Sequence, residues 1–319
     1  MNRAPPSRSP SEPGASAASP VPRASTSAAP RASPATSVPR ASSAAPGAAT
    51  SRTPGEKLLH GRVLAIAGSD SGGGAGIQAD IKAITMLGAY AATAITALTA
   101  QNTIGVHGVR MVPPEFIYQQ ILVVLDDIGA DAVKTGMLGD VATIETVADA
   151  LAKYAAGIPF VLDPVMVAKG GARLLDPGSV HALTRHLVPK ASLITPNLPE
   201  AEVLAGRAIG DVAAMHEAAK ALLDLGVPAV LLKGGHLPGD TVVDLLATRD
   251  GTETFSAPRI ETNHTHGTGC TMASAIAAGF AQGMALRDAV QRARNYVRAA
   301  IETAPGLGAG HGPLNHYVW

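Results

Sequence analysis

Residues 62–68 read Arg-Val-Leu-Ala-Ile-Ala-Gly, an apolar run with no polar alternation, and they lead into the stretch Gly68-Ser69-Asp70-Ser71-Gly72-Gly73-Gly74-Ala75-Gly76. A helical pattern follows over 77–87. A strand with no polar face must be covered on both sides, as in parallel sheets flanked by helices. The same alternation recurs down the chain. Strands are predicted at 91–98, 132–137, 159–166, 192–195, 229–233, 241–247 and 252–257, and helices at 113–128, 141–154, 212–225, 270–283 and 286–302, with a further helix starting at 197. About eight strands, most alternating with helices, predict an α/β fold whose mostly parallel central sheet carries helices on both faces.

The N-terminal part has a different composition. Residues 1–55 hold eleven of the 24 prolines, six arginines against the single acid Glu12, and no Leu, Ile, Phe, Trp or Tyr. Such a segment buries too little apolar surface to offset its ordering entropy. Residues 1–58 are therefore expected to be a disordered Pro/Ala/Ser/Arg-rich extension, and 59–319 a single domain. A degenerate Pro-Arg-Ala-Ser repeat at 22–25, 30–33 and 39–42 agrees with low complexity. An organelle transit peptide shares the Arg- and Ser-rich, acid-poor composition, but the prolines oppose the amphipathic helix it needs. No apolar run follows the first arginines, which excludes a secretory signal.

The zero formal charge conceals a tail of +5 and a body of −5. Six scattered arginines make a weak polyanion patch, so a solvated extension without nucleic-acid binding is expected. One cysteine excludes an internal disulfide or a Cys-cluster metal site and fits a reducing cytosol. Residues 83–109 carry no Asp, Glu, Lys or Arg. Gly88, Thr93, Thr96, Thr99, Gln101 and Asn102 interrupt them, however, so they read as buried strand and loop, not a membrane span.

Several stretches carry chemistry. His264-Thr265-His266-Gly267-Thr268-Gly269-Cys270-Thr271 opens onto a small-residue helix, and free backbone N–H groups with the helix dipole make such a start an anion site. Cys270 falls in the first turn, where that field favours thiolate; a lone cysteine is otherwise usually an inert small hydrophobe. Gly74-Ala75-Gly76-Ile77-Gln78-Ala79 fits a dinucleotide-binding pattern, yet no ribose-holding acid ends the second strand. Asp163 ends a buried strand, where α/β ligand sites form. Asn197 and Glu200 can organise a metal ion through water or simply form a capping box. Lys233 is a phosphate contact or a strand-end surface charge.

Together these pieces closely resemble the hydroxymethylpyrimidine/phosphomethylpyrimidine kinases of thiamine biosynthesis, in the ribokinase-like superfamily. The matching segments are Ala67–Asp80, Ile95–Thr103, Lys134–Leu138, Leu162–Met166, Thr195–Glu202, Leu232–His236 and Thr265–Thr271; the resemblance spans about 62 to 315. That superfamily lacks the Walker loop, and no G-x-x-x-x-G-K-[ST] occurs here.

The resemblance implies ATP-dependent phosphorylation of 4-amino-5-hydroxymethyl-2-methylpyrimidine, then of its monophosphate, in one site. It implies that Asp80 and Gln101 hydrogen-bond the aminopyrimidine, Gly68 and Thr99 contact it, and Met137 and Val165 sandwich it. Thr99 stands where relatives often carry Val. Asn197 and Glu200 would organise Mg²⁺ and the ATP phosphates with Asp163 and Lys233 nearby, and Glu200 and Asp163 would be its carboxylates. Gly267, Thr268 and Gly269 would form the anion hole. Cys270 stands where most sugar kinases of the superfamily, and pyridoxal kinases of its other branch, carry Asp, and the resemblance implies that it takes the proton of the attacking hydroxyl as a thiolate or only shapes the site. Relatives imply a cytoplasmic homodimer. A pyridoxal or dual kinase and a non-catalytic pyrimidine-binding regulator are the alternatives.

Overall fold

The computed structural model describes residues 60–167 and 175–318. The expected disorder of 1–58 lies outside them.

Nine strands form one sheet in the order β3-β2-β1-β4-β5-β6-β7-β8-β9. Its first half comprises β1 (Arg62–Asp70), β2 (Tyr90–Gln101), β3 (Val106–Met111), β4 (Ala132–Thr135) and β5 (Phe160–Leu162). Its second half comprises β6 (Leu193–Ile194), β7 (Ala229–Lys233), β8 (Thr241–Thr248) and β9 (Gly251–Pro258). Six strands from β2 to β7 run parallel, and β3, β8 and β9 add antiparallel edges.

The unbroken apolar run of β1 has the reason the sequence suggests. Leu64 and Ile66 enter one core with α2 (Pro114–Asp127), α3 (Val141–Tyr154), α4 (Pro177–His186), α5 (Leu198–Ala205) and α6 (Val212–Leu223). Val63 and Ala65 point the opposite way, into a core with α1 (Gly76–Met86), α7 (Thr268–Ala281) and α8 (Leu286–Glu302). The two-residue period of the strand thus feeds two helical layers.

The structure differs from expectation at three places. A ninth strand, β3, is present at an edge and is almost wholly exposed, so its residues carry no burial pattern. Helix α4 starts at Pro177 behind the N-cap Asp176, whose side chain accepts from Ser179 N–H. Helix α7 starts at Thr268, two residues early, because Gly267 adopts a left-handed φ of +86° and turns the chain into the helix. A Cβ there would collide with the Gly74 carbonyl oxygen, so glycine is required both for its conformation and for the close approach of the two glycine-rich loops.

Candidate active site

The C-terminal ends of the parallel strands open into a cavity of about 870 Å³. β1 delivers Gly68 and Asp70, the turn after β4 delivers Met137, and the segment after β5 delivers Asp163 and Val165. The start of α5 brings Asn197 and Glu200, and the end of β7 brings Lys233. This is where open α/β sheets hold ligands, around the point at which the strand order reverses on either side of β1. Thirteen of the fourteen residues singled out in the sequence line this one space: Gly68, Thr99, Gln101, Met137, Asp163, Val165, Asn197, Glu200, Lys233, Gly267, Thr268, Gly269 and Cys270.

Asp80 is the exception: it does not line the cavity. Its carboxylate is fully buried and receives Lys134 Nζ at 2.8 and 2.9 Å, and Ser274 Oγ donates to it at 2.7 Å. Both oxygens accept hydrogen bonds from protein side chains. Burial alone would lower the Lys134 ammonium, but the charges of Asp80, Cys270 and Asp163 raise it above the usual lysine range. Burial pulls Asp80 upward while Lys134 and Ser274 pull it down; with donors on both oxygens, the pair stands as an ion pair.

Near the end of β7, Lys233 Nζ lies 3.0 Å from Asp163 Oδ1, which also accepts from Thr195 Oγ1 at 3.0 Å. A Cβ on Gly269 would stand 3.1 Å from Lys233 Nζ and 3.6 Å from Asp163 Oδ2. The lysine and the aspartate therefore sit directly against the start of α7, the end of a helix that suits an anion. Asn197 and Glu200 do form the capping box. Glu200 N–H donates to Asn197 Oδ1 and Asn197 N–H donates to Glu200 Oε2, both at 2.9 Å. Burial pushes the Glu200 carboxyl up to about 7 against the pull of Lys233.

Among the described residues no group of three or more His, Cys, Asp or Glu is placed to hold a metal. Magnesium, however, binds through one or two carboxylates with phosphate and water completing its octahedron. Asp163 and Glu200, hard oxygen donors lining the same cavity, fit that demand.

Cys270 faces the cavity only in part, yet burial raises its thiol to about 11 in spite of the Lys134 charge and the Gly76 N–H. Desolvation thus opposes the thiolate that a helix start favours.

Two further residues line the cavity beside Gln101. Asp70 accepts from the N–H groups of Gly72, Gly74 and Ala75 at 2.8, 3.1 and 2.8 Å and so shapes the glycine-rich loop. Burial works against its charge, but His266 and the Ala75 and Gly72 N–H groups hold its carboxyl below the ordinary range. His266 Nε2 lies 2.8 Å from Asp70 Oδ2 and 3.2 Å from Gln101 Nε2. An Asp followed by small residues is a turn signal that would have identified the first; the second pairs across 196 positions and has no local signature.

Known structures share this fold. The ADP complex of Bacillus subtilis pyridoxal kinase superimposes with a TM-score of 0.75 at 36% identity, covering 81% of this chain and 98% of that one. The phosphomethylpyrimidine kinase of Clostridium difficile 630 gives 0.68 at 40% identity, covering 75% and 99%. Such a sheet with its strand ends and a glycine-rich helix start turned to one cavity is a ribokinase-like small-molecule kinase.

Sequence relatives narrow the class. A family model described as phosphomethylpyrimidine kinase matches residues 70–315. The hydroxymethylpyrimidine/phosphomethylpyrimidine kinase of Bacillus subtilis is 48% identical over 259 residues, 81% of this chain and 95% of that protein. A bifunctional thiamine biosynthesis protein of Geobacter sulfurreducens is 54% identical over 258 residues, and the chain spans 52% of its length. The chain belongs to the phosphomethylpyrimidine kinase family.

Proposed function

We propose that this enzyme transfers the γ-phosphoryl group of ATP to 4-amino-5-hydroxymethyl-2-methylpyrimidine and then to the resulting monophosphate, for thiamine diphosphate biosynthesis. The observation that carries the reading is the single cavity that joins Gly68, Thr99, Gln101, Met137 and Val165 to the start of α7. An aromatic ring held between Met137 and Val165 directs its hydroxymethyl arm toward Gly267–Cys270. Backbone N–H groups there, with Lys233, stabilise charge on the transferring group, which is mostly what phosphoryl transfer asks of a protein. Mg²⁺ near Asp163 and Glu200 would neutralise phosphate charge. Glu200, whose carboxyl burial holds up to about 7, would bind such a cation as the carboxylate.

Product analysis with the hydroxymethylpyrimidine and Mg-ATP tests the proposal. Monophosphate is expected first, then diphosphate. Turnover of pyridoxal with none of the pyrimidine overturns it. A dual activity is a second reading, favoured by the structural likeness to pyridoxal kinases, including one from Staphylococcus aureus in complex with AMP-PCP and pyridoxal at a TM-score of 0.75.

The proposed homodimer, in the cytoplasm, is supported by the edge of the sheet. Leu98, Ile104, Val109 and Met111 are exposed on β2, β3 and the turn between them, and an open apolar edge invites pairing. Sedimentation should show a dimer, and Val109→Lys with Met111→Lys should shift it to monomer while leaving the far-UV spectrum unchanged. No helix among the described residues is long and apolar enough to cross a membrane.

A further inference from the structure

Hydrogen-bond accounting around Gln101 leads beyond the residues that face the substrate. His266 Nε2 is 2.8 Å from Asp70 Oδ2, and a carboxylate only accepts, so that ring nitrogen must carry a proton. With the Gln101 amide nitrogen at 3.2 Å from the same atom, two donors would face each other. The other end of the amide has the mirror problem. Thr99 Oγ1 owns one proton and lies 2.9 Å from the Ser69 carbonyl oxygen and 3.2 Å from Gln101 Oε1, two acceptors. Turning the amide by half a rotation resolves both conflicts at once. His266 N–H is then shared between Asp70 and the Gln101 carbonyl, Thr99 donates to Ser69, and Gln101 NH₂ donates to Thr99.

We propose that Asp70 and His266 are positioning residues that fix the Gln101 amide with its oxygen toward His266, so that it presents an N–H donor to an acceptor nitrogen on the substrate ring. Their own anchoring makes the arrangement rigid. Asp70 is tied to three loop N–H groups, His266 N–H donates to the Gly312 carbonyl at 3.1 Å, and its ring packs against Gly74. Because the NH₂ group has two protons and Thr99 takes one, the second is left for the cavity. A ring nitrogen beside an amino-bearing carbon is an acceptor of the required kind. A site built around a committed donor discriminates strongly against an analogue lacking the acceptor, because the buried N–H is then left unpaired.

The inference rests on the pyrimidine kinase reading, and its test separates the two. Steady-state kinetics are measured with the hydroxymethylpyrimidine and with its analogue in which that ring nitrogen is CH, on wild type, His266→Leu, His266→Asn and His266→Gln, all checked by thermal melting. Wild type should show a KM at least tenfold higher for the analogue. His266→Leu and His266→Asn, which cannot reach Gln101 with an N–H, should raise the KM for the pyrimidine tenfold or more, lower kcat by less than threefold, and erase most of the preference. His266→Gln, which can reach, should restore most of it, with the KM for ATP within twofold throughout. If His266→Leu fails to fold, the Asn-against-Gln comparison decides. Equal KM increases for both substrates, or no difference between Asn and Gln, overturn the inference alone; a wild type inactive on the pyrimidine overturns both.

Discussion

Lys134→Met is expected to lower the unfolding free energy by about 3–5 kcal/mol, because it leaves the Asp80 carboxylate buried without a counter-charge. That is a large share of the stability of an ordinary domain, about 5–15 kcal/mol. Both side chains are fully buried. The double variant Lys134→Met/Asp80→Asn removes both charges and keeps an acceptor for Ser274, so urea unfolding should show it recovering at least half of the loss. Asp80→Asn alone should leave the KM for the pyrimidine within threefold, since the carboxylate is fully buried and does not line the cavity. A double variant as unstable as Lys134→Met, or an Asp80→Asn protein that folds normally but no longer binds the pyrimidine, would refute this assignment.

What was legible in the sequence, and what was not, divides along the range of the interactions. β1, its glycine-rich loop and α1 were legible because apolar runs and glycines are local signals, and the same holds for β7 ending at Lys233 and for the small-residue helix α7. The antiparallel β3 was not, because Val106-His107-Gly108-Val109-Arg110-Met111 buries no face and needs no periodicity. Asp80 stood inside a recognisable segment, and its partner stands 54 positions away, so nothing near it announced an ion pair. For Cys270 a local rule pointed one way and a tertiary fact the other. A helix start lowers a thiol pKa, but the depth of the site is set by strands and loops far from it in sequence. The capping box at Asn197 and Glu200 shows the reverse case, a local reading realised in the fold while the same side chains line the cavity.

Cys270→Ala is expected to reduce kcat by about a hundredfold or more, the scale of a positioned proton acceptor, with the KM for the pyrimidine within threefold. The pH dependence carries the sharper test. Burial raises the thiol to about 11, so the deprotonated form is scarce at neutral pH and grows about tenfold per unit as pH rises toward that value. If the thiolate takes the proton of the attacking hydroxyl, kcat/KM of the wild type must climb across pH 7–9, and Cys270→Ala must flatten that slope. Alkylation by iodoacetamide should follow the same curve, slow at pH 7 and accelerating well above the midpoint of about 8.5 of an ordinary cysteine. Lys134 is the principal charge opposing the desolvation of Cys270, so in Lys134→Met the alkylation curve should move to still higher pH. A wild-type rate flat from pH 7 to 9, with alkylation nonetheless rising, would mean that the proton leaves through the phosphate or water and that Cys270 only shapes the site.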